Sequence, residues 1–202
     1  MRMIEKGLFT ALLAAVLAAG CGQADDTEQA ASALTYDAQV NSGSTTAVGS
    51  WVADQGYQGG TPINHPDTIN TTWVGGGPPA AVYQKARTGE FSYTVTGFNA
   101  NWPVQFRLYF AETYFANPGQ RVFDVNVGGT NVLSKFDIIA AVRALKNPTF
   151  PTNQTGKDVA IEKVVGGYSD ANGNIKISFT TKNAGDVNQA LLSAFTVTGL
   201  KM

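Results

Sequence analysis

The chain has 202 residues, with 14 Lys and Arg against 15 Asp and Glu, a formal net charge of −1 at pH 7 and 14% charged residues. With no cluster of Lys and Arg, that balance excludes nucleic-acid binding, which needs several convergent cations to meet the phosphates. A single cysteine and a single histidine exclude a disulfide framework, a cysteine or multi-histidine metal site and a Cys–His couple.

The N-terminus reads in three parts. Arg2 and Lys6 give a positive start, Gly7 to Ala19 is uncharged and rich in Leu, Ala and Val, and small residues then lead to Cys21. The apolar run is shorter than the about 20 residues that span a bilayer core, so residues 1–20 predict a secretory signal peptide rather than a transmembrane helix. Leu17-Ala18-Ala19-Gly20-Cys21 resembles the bacterial lipobox, which makes Cys21 the expected lipidation site and the membrane the expected anchor. Acylation would also remove a lone thiol from an oxidising compartment. Gly22 follows the cysteine where an inner-membrane retention signal would place Asp, which points to the outer membrane. Residues 21–34 are small, polar and acidic, and predict a flexible tether reaching about 45 Å when stretched.

Residues 35–202 predict one folded domain of short strands. Phe91, Tyr93 and Val95 alternate with polar residues, as do Val104, Phe106, Leu108 and Phe110, then Phe123, Val125 and Val127, and finally Ile175, Ile177 and Phe179. A period of two with one apolar face marks a half-buried antiparallel strand. Gln105, Arg107, Tyr109, Asp124 and Asn126 fall on the opposite, polar faces. Gly128-Gly129 predicts a hairpin, as does Asn172-Gly173 before the Ile175 strand, because both dipeptides accept positive φ. Pro103 opens its strand, where a missing N–H costs least. Ile138–Leu145 predicts the one short helix. Many short strands separated by turn residues indicate an all-β antiparallel sandwich with at most one or two short helices.

The stretch Phe106–Ile138, FRLYFAETYFANPGQRVFDVNVGGTNVLSKFDI, resembles the malectin domain family. Asn41-Ser42-Gly43, Trp51 to Tyr57, Tyr83-Gln84, Ile175–Phe179 and Ser193–Val197 resemble further segments of it in the same order. The resemblance implies a jelly-roll-like, galactose-binding-like sandwich that binds carbohydrate, with α-linked glucose disaccharides as model ligands and no catalysis. It assigns sugar contact to Tyr114 and Phe115. Tyr57 best matches a second binding tyrosine, and the family's binding aspartate falls on Asn188, with Asp186 two residues away. A third family tyrosine is replaced here by Thr88.

The residues support the same class of ligand independently. A pyranose packs its C–H face on an aromatic ring while its hydroxyls need hydrogen-bond partners. Tyr114 and Phe115 sit on a loop before Asn117-Pro118-Gly119, where large rings have a functional reading. The expected partners are therefore a glycan and, through Cys21, a membrane. The alternative is an adhesion protein whose loop aromatics anchor another envelope protein. No cofactor or metal is expected. Asp170 to Asn174 imitates half a calcium loop, but Thr181 stands where the closing Glu belongs. His65 lacks a Gly-x-Ser-x-Gly partner motif. Glycoside hydrolysis requires two carboxylates about 5–10 Å apart, and Glu112 with Asp124 or Asp137 is the pair to test for it.

Overall fold

A computed structural model describes residues 34–145, 155–181 and 188–200. Cys21, the signal and tether up to residue 33, and Asp186 lie outside the described residues. The described chain forms eleven strands and two short helices in two sheets, so the expected all-β sandwich is what the sequence folds into.

The first sheet is organised around the long strand β4 (Lys85–Thr96). On one edge β4 pairs with β3 (Tyr57–Asn64) and, in parallel, with β1 (Leu34–Thr35). On the other edge it pairs with β9 (Ile175–Thr180) and β10 (Leu191–Leu192), and the sheet continues through β6 (Phe123–Val127) to β7 (Thr130–Phe136). The second sheet runs β2 (Gln39–Asn41), β11 (Ala194–Gly199), β5 (Pro103–Ala111), β8 (Ala160–Tyr168). The alternating apolar residues of β4, β5, β6 and β9 meet between the sheets. Phe91 stacks on Phe179 with centroids 4.6 Å apart, Tyr93 lies 4.7 Å from Phe195, and Phe110 lies 4.9 Å from Phe136. Each such ring contributes about 1.5–3 kcal/mol through burial. Gly128-Gly129 makes the β6–β7 hairpin with both residues at positive φ. Helix α2 (Ile138–Arg143) follows, capped by Asp137, whose Oδ1 accepts the Ala140 N–H at 2.9 Å.

Four expectations need correction. Asn172-Gly173 does not close a hairpin: β8 and β9 belong to different sheets, and Asp170–Asn174 carries the chain across the sandwich. The Asp170 carboxylate is committed to that turn, accepting the Asn172 and Asn174 N–H groups at 2.8 and 2.9 Å, and the Asn174 N–H chiefly holds its pKa below the ordinary value. Tyr109 is not on an exposed polar face, because a long excursion through helix α1 (Ala80–Tyr83) covers that side of the second sheet. Tyr109 packs edge-on to Trp51 at 5.5 Å in a second core with Val74, Val82 and Tyr83. Asp124 is buried as well, its oxygens taken by the Lys135 N–H and the Asn131 amide, each at 2.6 Å. Leu34, expected to end the tether, is instead a buried residue of β1.

Candidate functional site

Strand β5 ends at Ala111, and the chain turns on Glu112. This side chain is 1% exposed. Its Oε1 accepts the backbone N–H groups of Tyr114 at 2.9 Å and Phe115 at 3.1 Å, and its Oε2 meets Arg121 Nε at 2.5 Å. Arg121 in turn donates from Nη1 to the Gln189 carbonyl at 2.5 Å. One buried ion pair thus fixes both ends of the 112–121 loop and ties it to the chain entering β10. Asp137 Oδ2 accepts the Gly119 N–H at 2.5 Å, and Arg143 Nη2 donates to the Ala116 carbonyl at 3.0 Å, so the loop's tip is held too.

The loop presents Tyr114, which is 70% exposed, perpendicular to the half-buried Phe115 with ring centroids 4.8 Å apart. The Arg121 guanidinium carbon lies 5.1 Å from the Phe115 ring centre, within cation–π range. These residues form one wall of a groove of about 250 Å³ completed by Ile63, His65, Thr88, Asn188 and Gln189. Ile63 lies in the last turn of pairing of β3 and His65 just beyond it, Thr88 comes from β4, and Asn188-Gln189 precede β10. Asn188 adopts a left-handed backbone at φ +60° and its amide donates to the Gln120 carbonyl. Asn tolerates that conformation better than most side chains. Thr88 Oγ1 is turned to the Ala190 carbonyl at 2.9 Å.

Three of the five expected sugar-site residues, Tyr114, Phe115 and Asn188, therefore share one groove, and Thr88 marks the place of the missing third tyrosine. Tyr57 does not line it. Its ring is covered by the Arg87 guanidinium, 3.4 Å from the centroid. Arg87 binds Asp54 Oδ2 through Nε at 2.8 Å and Nη2 at 2.6 Å, and Asp54 also accepts the Tyr93 hydroxyl at 2.8 Å and the Gly43 N–H at 2.5 Å. Burial pulls the Arg87 guanidinium down, but Asp54 and Tyr93 beside it leave its pKa above the ordinary value, so Arg87 stays charged. The Trp51–Tyr57 segment is thus anchored by a buried ion pair. His65, Arg121 and Gln189 were not among the expected site residues. Only Arg121 carried a signal, in the Gln-Arg of the quoted 106–138 stretch.

The three suspect carboxylates all have structural duties: Glu112 and Asp137 accept loop N–H groups, and Asp124 is buried behind β7. Among the described residues no group of three or more His, Cys, Asp or Glu could hold a metal ion. A second groove of about 370 Å³, lined by Tyr36, Asp37, Gln39, Ser50 and Gln55 among others, lies toward the opposite end of β4 and contains none of the expected residues.

The described residues form a two-sheet β-sandwich in which one loop holds an exposed ring beside amides. The malectin domain family matches residues 16–195, and the chain belongs to that family. A search of curated protein sequences finds no significant match. The fold is similar to the ANX2 ectodomain from Arabidopsis thaliana, with a TM-score of 0.67, 17% identity, 82% of this chain covered and 50% of that one. It is also similar to a chain in the complex of plant peptide RALF23 with FER and LLG2, at TM-score 0.63 and 17% identity, covering 82% and 48%. A calcium-binding mutant of Bacteroides uniformis beta-glucuronidase 2 aligns at TM-score 0.57 and 16% identity over 84% of this chain but 19% of that one. The chain spans about half the length of the plant ectodomains. At these identities the similarity establishes the fold alone.

Proposed function

We propose that the domain is a non-catalytic glycan-binding module. The observation that carries this reading is the Tyr114 ring, exposed at the groove rim yet pinned through its backbone by Glu112. A ring on a held backbone, already packed edge-on to Phe115, offers a face to the C–H side of a pyranose, while Asn188 and Gln189 supply polar contacts. Asp186 remains a further polar candidate. An α-glucoside is the first neutral ligand to try. The test is calorimetric titration with gluco-oligosaccharides and envelope polysaccharides against the chain and its Tyr114→Ala variant. Loss of about tenfold or more in affinity supports the site, and unchanged binding refutes it.

We further propose that the chain is an exported lipoprotein held on the outer membrane through Cys21. The lipobox-like Leu17–Cys21 segment and the lone cysteine support this. Several copies fixed on one surface would raise the avidity of a weak site. Radiolabelled palmitate incorporation that persists in Cys21→Ser overturns the anchor. The rival reading, an envelope-protein partner, draws support from the RALF23 complex to which the fold is similar. Pull-down from envelope extract that competing glycans leave unchanged favours it.

A further inference from the structure

We infer that the end of the sandwich opposite the Tyr114 loop is a membrane-facing foot, an aromatic patch that settles into the headgroup layer of the bilayer holding Cys21; this rests on the lipoprotein reading above. Tyr168, Pro103 and Leu200 stand side by side at the ends of β8, β5 and β11. Pro103 pairs with Tyr168, and the Leu200 N–H donates to the Pro103 carbonyl at 2.9 Å. Trp102 precedes Pro103, and its ring and that of Phe98 both lie against Gly199, where a Cβ would meet them at 3.2 and 3.5 Å. Phe98 continues the patch to Tyr36, with ring centroids 6.3 Å apart. Tyr168 is 69% exposed, Tyr36 56% and Leu200 41%. Four separate chain segments thus bring four rings and a leucine to one end of the fold.

The chain from Cys21 enters the domain at this end. Leu34 pairs with Val95 at the close of β4, and Tyr36 follows two residues later. The segment from Cys21 to Leu34 reaches about 45 Å when stretched, so the patch lies within range of the bilayer. Strand β5 runs from Pro103 to Ala111, beside Glu112, which puts the Tyr114 loop about 30 Å away at 3.3 Å per residue. Tyr and Trp favour the membrane–water interface because the ring is apolar and the O–H or N–H stays wet. The Trp102 indole N–H and the Tyr36 and Tyr168 hydroxyls make no hydrogen bond among the described residues. In the segments 34–38, 97–102 and 168–174 the charged side chains are Asp37 and Asp170, with no Lys or Arg. Ring partitioning rather than attraction to anionic lipid therefore drives the contact. Acyl chains on Cys21 hold the protein to the surface, and the patch fixes how it stands, with the Tyr114 groove turned outward.

The test returns the protein, purified from membranes in detergent, to phosphatidylcholine vesicles with and without bromine atoms at the top of the acyl chains. Bromine quenches a nearby indole. Of the three tryptophans, Trp51 is buried in the second core and Trp73 packs against the first, which leaves Trp102 at the patch. Brominated lipid is expected to remove about a third of the emission, equally at about 20 mM and about 500 mM NaCl. Trp102→Phe is expected to abolish that loss. Tyr168→Asp places a charge at an exposed position, and is expected to reduce the quenching about twofold or more while the urea midpoint and glycan affinity stay unchanged. Quenching that persists in Trp102→Phe overturns the foot, as does a Trp102 reached by aqueous acrylamide but not by brominated lipid. A Trp102 shielded from both is covered by a second copy or another protein, which also overturns it. Sedimentation with the vesicles reads the acyl anchor separately. Chain left in the supernatant removes anchor and foot together, and sedimented chain without quenching removes the foot alone. Should Trp102→Phe fail to fold, Tyr168→Asp decides the matter.

Discussion

Glu112→Gln is the substitution that separates a scaffold carboxylate from a catalytic one. The change preserves size and leaves one side-chain oxygen to accept the Tyr114 and Phe115 N–H groups. It removes the charge opposite Arg121, whose Nε lies 2.5 Å away with both side chains less than a tenth exposed. Stranding one member of a buried pair costs about 3–5 kcal/mol, because the remaining charge stays desolvated without compensation. With a urea slope of about 2 kcal/mol/M for a domain of this size, the unfolding midpoint falls by about 2 M. Glu112→Gln with Arg121→Met removes both charges and is expected to recover about half of that loss, since apolar replacements of whole buried pairs are close to neutral. The assay is equilibrium urea unfolding followed by tryptophan fluorescence, with glycan affinity and reducing-end release measured in parallel. Glycan affinity should fall with the midpoint, as the ring platform loses its clamp. An unchanged midpoint in the single variant would refute the clamp. If glycan turnover in the unaltered chain disappeared at the same time, Glu112 would be an acid catalyst.

Other outcomes follow from buried polar groups and close backbone approaches. The Tyr83 hydroxyl is buried without a hydrogen-bond partner among the described residues, so Tyr83→Phe is expected to raise stability by about 1 kcal/mol in thermal or urea unfolding. Burial also pushes the Tyr83 and Tyr93 hydroxyls well above the usual tyrosine pKa of 10.0, with Asp54 adding to the rise at Tyr93. The native state therefore keeps protons that the unfolded chain releases above that pH, and stability falls as pH rises beyond about 10, by about 1.4 kcal/mol per unit for each tyrosine held neutral. Tyr83→Phe should flatten this alkaline slope by one tyrosine's share, and a slope that stays the same would show Tyr83 to be ionisable in the fold. Gly43 sits at φ +74° with room for no Cβ, which would lie 2.0 Å from the Ala86 carbonyl oxygen. Gly43→Ala should cost more than about 3 kcal/mol and leave little folded protein by circular dichroism.

Where side-chain alternation is strict, the fold could be read directly from the residues. The runs from Phe91, Val104, Phe123 and Ile175 became β4, β5, β6 and β9, with their apolar members between the sheets. Strand β3 was hidden by Gly59, Gly60 and Pro62, residues that strands avoid. It exists because β4 supplies its partner, with a register shift between Gly59 and Thr61. Strand β8 was hidden by Gly166-Gly167 in the same way: a Cβ on Gly167 would lie 2.6 Å from Val127. Tyr109 and Asp124 were read as exposed because period two identifies two faces without saying what else covers the outer one. The site divides similarly. Tyr114 and Phe115 are adjacent, so one loop argument finds both. His65 follows β3, Thr88 lies within β4, Arg121 precedes β6 and Gln189 precedes β10, and no local pattern connects them before the sheets bring them together.

The same device occurs twice around the groove, and it explains why loops can serve as a binding surface here. Arg87 pairs with Asp54 and lies over Tyr57, and Arg121 pairs with Glu112 and lies near Phe115. The first pair binds the Trp51–Tyr57 segment to β4, one residue before Thr88. The second binds the 112–121 loop to the entry of β10, which pairs with Arg87 and Thr88. Both loops are therefore referred to the same two residues of the central strand. Apolar side chains could fill these positions at equal or lower free-energy cost, but they would not dictate which backbone N–H groups point where. A carboxylate that must satisfy an arginine and two N–H groups at once permits one loop geometry. Tyr114 can then stand in solvent on a backbone held in one conformation, its ring edge-on to Phe115, an anchoring that hydrophobic packing alone would not supply.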